Sequence, residues 1–165
     1  MQKVSPFLWF DSQAEEAAEV YVSVFEGRPG GSTGTSKVTG VSRYGDAGPG
    51  TPGSAMTVSF RLEGQEFTAL NGGPEFGFTE AISLFVSCED QAEVDYFWKT
   101  LTDGGEESQC GWLKDRYGLS WQIIPTRLME LLGDPDPGRA RRAMKAMLEM
   151  QRIDVPTLER AADAA

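Results

Sequence analysis

The chain has 165 residues, with 25 acidic against 15 basic side chains for a formal net charge of −10, and 40% of it is hydrophobic. That size and balance describe a globular chain of one domain or two small modules, and the acidic excess argues against a nucleic-acid backbone or an anionic membrane as partner, since both are held through Lys and Arg. There is no histidine, which excludes Ser-His-Asp and Cys-His machinery and imidazole-bound zinc, leaving acid–base work to carboxylates, Tyr, Lys or Cys and any metal to oxygen ligands.

No apolar run reaches the ~20 residues of a membrane-spanning helix, and no signal-peptide core opens the sequence. Cys88 and Cys110 are too few and too far apart for a disulfide framework or a zinc cluster. The expectation is a cytoplasmic protein with free thiols.

In chain order, Val4 to Phe10 is an apolar run that predicts a strand. Ser12 and Glu15 fit a capping box, and Ala14, Ala17, Ala18, Tyr21 and Phe25 recur at helical spacing, their small side chains suiting a helix laid close on a sheet. The Gly-rich segment 27–36 is a connector, Lys37 to Tyr44 a strand, and 46–53, where Gly and Pro alternate, a turn or flap. Ala55 to Leu62 and Gln65 to Leu70 form a hairpin about Glu63-Gly64, stopped by Asn71-Gly72-Gly73-Pro74. Phe76 and Phe78 lie in the linker that follows.

Ala81 to Cys88 predicts the next strand, and Asp90-Gln91-Ala92-Glu93 opens a helix carrying Val94, Phe97, Trp98 and Leu101 that Gly104-Gly105 ends. Cys110 to Leu113 and Leu119 to Ile124 are strands joined by a charged turn, Lys114 to Gly118. On the outgoing strand Ser120, Gln122 and Ile124 share one face, and Leu119, Trp121 and Ile123 the other. Ser12-Gln13-Ala14-Glu15 and Asp90-Gln91-Ala92-Glu93 mark an internal repeat, a strand–helix–strand–strand–strand order used twice. After Pro125 come short helices broken at Asp134-Pro135-Asp136-Pro137, with Ala140, Ala143, Met144, Met147 and Leu148 on one face, arginines 139, 141 and 142 toward solvent, and Asp154 or Thr157 capping a last turn. The division expected is a first module over 1–75, a second over 76–126 and a helical extension over 127–165.

Two such modules, together with the words Pro6-Phe7-Leu8-Trp9-Phe10-Asp11, Thr68-Ala69-Leu70-Asn71-Gly72-Gly73-Pro74, Gln109-Cys110-Gly111-Trp112-Leu113-Lys114-Asp115 and Ser120-Trp121-Gln122-Ile123-Ile124-Pro125, resemble the PhnB-like branch of the vicinal oxygen chelate (glyoxalase/bleomycin-resistance) superfamily. That branch carries the label 3-demethylubiquinone-9 3-methyltransferase. The resemblance implies an α+β fold of paired βαβββ modules forming a cupped mixed sheet with a C-terminal helical tail, a homodimer, and a small-molecule ligand. The label itself meets a physical objection: the Gly-rich segment follows a helix and precedes a strand, the reverse of the order a nucleotide-binding methyltransferase needs.

The superfamily's metal enzymes set four ligands on strand ends. Carried over, those positions fall near Val4 or Ser5, near Leu70 or Asn71, between Ala81 and Ser83, and at Gln122, whose setting Asp115 to Ile123 resembles the Asp-x-x-Gly-x-x-x-Glu-Leu ending with Gln in place of Glu. This neutral set is a poor match for a divalent ion. The expectation is therefore no metal, no cofactor and an organic ligand, with Gln122, Asn71, Ser83 and Ser5 as polar groups, Trp9 and Trp121 as stacking surface, and the Cys110 thiol nearby. The other aromatics weighed for that surface are Phe7, Phe67 and Trp112. Two alternatives stay open: an atypical metal-dependent isomerase, lyase or dioxygenase-like enzyme, and a regulatory protein acting through its C-terminal helices.

Overall fold

The computed structural model describes residues 2–164. Its elements run β1 (Phe7–Phe10), α1 (Ala14–Glu26), β2 (Lys37–Arg43), β3 (Ala55–Leu62), β4 (Gln65–Asn71), β5 (Leu84–Cys88), α2 (Gln91–Leu101), β6 (Glu106–Glu107), β7 (Trp112–Lys114), β8 (Ser120–Pro125), α3 (Thr126–Leu132), α4 (Pro137–Leu148) and α5 (Val155–Asp163). The chain divides into two compact units, one ending at Phe78 and the other beginning at Thr79, so the helical extension belongs with the second module.

In the first unit the strand order is β1-β4-β3-β2, with β1 parallel to β4 and the other pairs antiparallel. Alternation decides which face is covered. Leu8, Phe10, Val58, Phe60, Leu62, Phe67 and Ala69 are buried with the alanine-rich stripe of α1, and Tyr21 of that helix lies 6.2 Å from the Phe60 ring. Phe67 stacks on Phe60 at 5.2 Å, which makes it core rather than ligand surface. The β3–β4 turn takes positive φ at both Glu63 and Gly64, as the two-residue hairpin requires.

The second unit repeats the plan with order β5-β8-β7-β6, β5 parallel to β8. Val86, Cys88, Leu113, Trp121 and Ile123 are buried, as are Val94, Phe97, Trp98 and Leu101 of α2. The extension builds its own core from Ile124, Leu128, Leu131, Ala143, Ile153, Leu158 and Ala162.

Several predicted details differ. β1 starts at Phe7 rather than Val4, and β5 at Leu84 rather than Ala81. The box of Ser12 and Glu15 does not form: Gln13 is the cap residue, no cap side chain bonds there, and the Ala14 N–H donates instead to Asn71 Oδ1 at 2.8 Å. At the second helix the predicted chemistry is present, with Asp90 accepting from the Glu93 N–H at 2.9 Å. On α4, Met144 and Leu148 are exposed instead of sharing the buried face of Ala143. Arg139 pairs with Asp134 and Asp163, and Arg142 donates to the Ala162 carbonyl, because α5 packs back against α4; neither guanidinium simply faces water. Asp154, not Thr157, caps α5.

Candidate functional site

Each sheet leaves a second face turned away from its long helix, and the register says which side chains share it. In the first unit Trp9, Leu70, Thr57 and Ser42 form one cross-strand row, and Phe7, Thr68 and Ser59 the next. Ser42 and Thr57 link hydroxyl to hydroxyl at 2.5 Å. Trp9 is half-buried: its indole N–H donates to the Gly73 carbonyl at 2.8 Å and its ring meets Phe76 edge-on at 5.0 Å. A Cβ at Gly72 would come within 2.3 Å of that ring, so only glycine lets the backbone lie beneath the indole. Ser5 is exposed just ahead of β1.

Asn71 belongs to the other side. It has the parity of Phe67 and Ala69, its Oδ1 accepts from Ala14 N–H, and its Nδ2 donates to the Ala55 carbonyl at 3.1 Å. Its own carbonyl accepts from the Tyr44 hydroxyl at 2.5 Å. Asn71 thus ties the start of α1 to β3 and to the 44–54 loop, and with Tyr44, Gly50 and Gly72 it borders a cleft of about 310 Å³ at that end of the sheet.

In the second unit the row is Phe85, Gln122 and Trp112, with Ser120, Lys114 and Glu106 beside it. Gln122 Nε2 donates to Ser83 Oγ at 2.9 Å, and Lys114 Nζ pairs with Glu80 at 2.5 Å, so the segment leading into β5 is fastened over this face at two points. Phe85 is exposed while Trp112 and Gln122 are half-buried, a combination of stacking surface and orienting amide. Ser120 is 1% exposed and its hydroxyl has no partner among the described residues.

Trp121 is elsewhere. It points to the α2 side, is 1% exposed, and gives its indole N–H to Asp115 Oδ2 at 2.8 Å. Asp115, 6% exposed, also accepts from the N–H groups of Tyr117 and Leu119, and so closes the turn. Cys110 is half-buried in a left-handed conformation (φ 58°), its N–H bonded to the Met150 carbonyl at 2.8 Å. Cys88 is the inert thiol: burial, then Glu93 and Asp90, push it up to about 12.

Sequence reasoning thus names Gln122 and Ser83, which are hydrogen-bonded partners, but misses Lys114, Glu80 and Phe85. Strand parity from Gln122 points to Phe85 and Lys114 once the pairing is known; Glu80 carries no local signal. Among the described residues no three His, Cys, Asp or Glu side chains gather as a metal site. Of the positions carried over for a metal, Gln122 is bonded to Ser83 through Nε2, Asn71 is bonded to two backbone groups, and Ser5 lies in the open. No helix is long and apolar enough to cross a membrane among the described residues.

Comparison with known proteins agrees with this architecture. The family model described as 3-demethylubiquinone-9 3-methyltransferase matches residues 2–124. A PhnB protein from Bacillus cereus is 35% identical, covering 75% of this chain and 99% of its own length at a TM-score of 0.65. A protein from Pseudomonas aeruginosa, 18% identical over 76% of this chain and 98% of its own, has a TM-score of 0.59, a likeness of fold. A glyoxylase/bleomycin resistance protein/dioxygenase domain from Frankia sp. EAN1pec is 15% identical over 76% of this chain and 92% of its own, at a TM-score of 0.46. No curated protein matches. The order α1, Gly-rich connector, β2 stands as read from the sequence, and the methyltransferase wording is the name of the family model. The chain is a member of the family described as 3-demethylubiquinone-9 3-methyltransferase, a PhnB-like protein.

Proposed function

We propose that this chain binds a small organic molecule on the helix-free faces of its sheets, without a metal ion of its own. The observation that carries the reading is the Gln122–Ser83 pair, half-buried between Phe85 and Trp112. An amide oriented by a neighbouring hydroxyl and flanked by aromatic surface suits a planar or apolar ligand with one or two polar atoms. Trp9, oriented by Gly73 and Phe76, is the corresponding stacking surface in the first unit. Asn71 and Trp121 each support the frame of their own unit, their side chains engaged with the backbone and with Asp115, and Cys110 is tied to the second unit by its backbone N–H.

The protein works as a homodimer in the cytoplasm. β1 and β5 each end a sheet, leaving strand edges of the kind that a second copy covers. Free Cys88 and Cys110 suit a reducing compartment.

The test joins elemental analysis of purified protein to a thermal-shift series with Mg²⁺, Mn²⁺, Fe²⁺, Zn²⁺ and Ni²⁺, followed by an organic-fragment screen read by amide shifts. The expected result is no stoichiometric metal, no metal-dependent rise in midpoint, and fragment-induced shifts at Ser83, Trp112 and Gln122. A stoichiometric metal whose stabilisation disappears in Gln122→Ala selects the metal-dependent enzyme instead.

A further inference from the structure

Among the described residues, the second sheet's open face holds one cationic group, and the protein covers it with its own carboxylate. Lys114 lies in register with Ser120 on one side and Glu106 on the other, two positions along the ladder from the Trp112–Gln122 pair. Glu80 reaches it from the segment that enters β5, and that segment is fastened again three residues later where Ser83 accepts from Gln122. Glu80 itself is mostly exposed (side chain 61%), and its carboxylate is held by Lys114 and by its own backbone N–H. Directly across the ladder, the Ser120 hydroxyl is enclosed and has no partner among the described residues. An enclosed hydroxyl without a partner is costly.

We infer that the ligand of this face carries a single carboxylate, which takes the place of Glu80 on Lys114 beside the Gln122 amide. This rests on the open-face reading above and adds the ligand's charge class. The sign follows from the ammonium, and the magnitude from its surroundings. Glu80 first and Glu106 after it raise Lys114 above the ordinary lysine range, so the group stays cationic, while Glu106 opposes a second negative charge on the ligand. A phosphate dianion would face that repulsion with one lysine to offset it. An aliphatic monocarboxylate repeats what Glu80 already places there, and Phe85 and Trp112 give its chain an apolar bed.

The experiment is an amide-shift titration of the full chain with butyrate, with butyramide and inorganic phosphate as comparisons. Glu80→Gln removes the internal competitor and is expected to bind butyrate about threefold more tightly than the wild type, the scale of releasing one exposed ion pair. Lys114→Met is expected to lose butyrate binding and Lys114→Arg to keep it, which separates loss of charge from loss of fold. Equal affinity in wild type and Glu80→Gln, butyrate binding that survives Lys114→Met, or phosphate binding more tightly than butyrate overturns the inference. Butyramide shifts at Ser83 and Gln122 that ignore every Lys114 variant overturn the carboxylate while leaving the open-face site standing. Shifts confined to Tyr44, Gly50 and Gly72, at the cleft of the first unit, overturn both.

Discussion

Asp115 shows how one side chain can organise a whole hairpin. Its two oxygens take the N–H groups of Tyr117 and Leu119 and the indole of Trp121, and it is almost fully enclosed while doing so. Asp115→Ala leaves these donors without their acceptor, and chemical denaturation is expected to show a loss of about 2–4 kcal/mol. The same contact removes Trp121 from the list of ligand-facing aromatics. From sequence, Trp121 and Trp112 look equally suited to stacking; the ladder puts them on opposite faces, Leu113 opposite Trp121 and Trp112 opposite Gln122. Parity alone separates the two faces of β8, but it cannot say which face a helix covers.

At the scale of the element, the two helix starts answer the same need by different means. Exposed N–H groups in the first turn require acceptors. At α2 the local Asp90 supplies one, as its sequence predicts. At α1 the acceptor is Asn71, 57 residues along the chain, which also holds Ala55. Asn71→Ala is expected to cost about 1–2 kcal/mol in thermal or urea unfolding, whereas Ser12→Ala is expected to be nearly neutral, the reverse of what a Ser12 box implies. Strand and helix order was legible because alternation and helical periodicity are written locally, in runs such as Val58-Ser59-Phe60-Arg61-Leu62 and Ala14 to Phe25. The cap was not, since only the fold brings Asn71 to the start of α1. The candidate site was half legible for the same reason: Gln122 and Ser83 stand out as polar residues among apolar ones, but Lys114 and Glu80 read as ordinary solvated charges until the register joins them.

For the whole molecule, the extension beyond Pro125 is a structural part of the second unit. Ile153 is fully buried in its core, its carbonyl accepts from the Gln91 side chain, and the same side chain receives the Val155 N–H. Arg152 pairs with Asp95 of α2, and Gly111 donates its N–H to the Gln151 carbonyl at 2.7 Å. A Cβ at Gly111 would press on Ile124 and Ile153, so this corner closes only around glycine. Ile153→Ala is expected to destabilise by about 2–5 kcal/mol, with hydrogen exchange rising in α2 as well as in α4 and α5. Exchange confined to the extension would mean that it folds and opens on its own.

The sequence by itself determined the twofold βαβββ plan, the family, and the lack of imidazole chemistry, because periodicity, motif order and composition are local properties that packing does not rewrite. Only the tertiary structure decided which face of each sheet stays open, that Asn71 serves the start of a helix, and that Glu80 rests on Lys114. These outcomes depend on contacts between residues far apart in the chain, whose partners are selected by strand register and by where each helix settles, and neither is encoded in any single stretch.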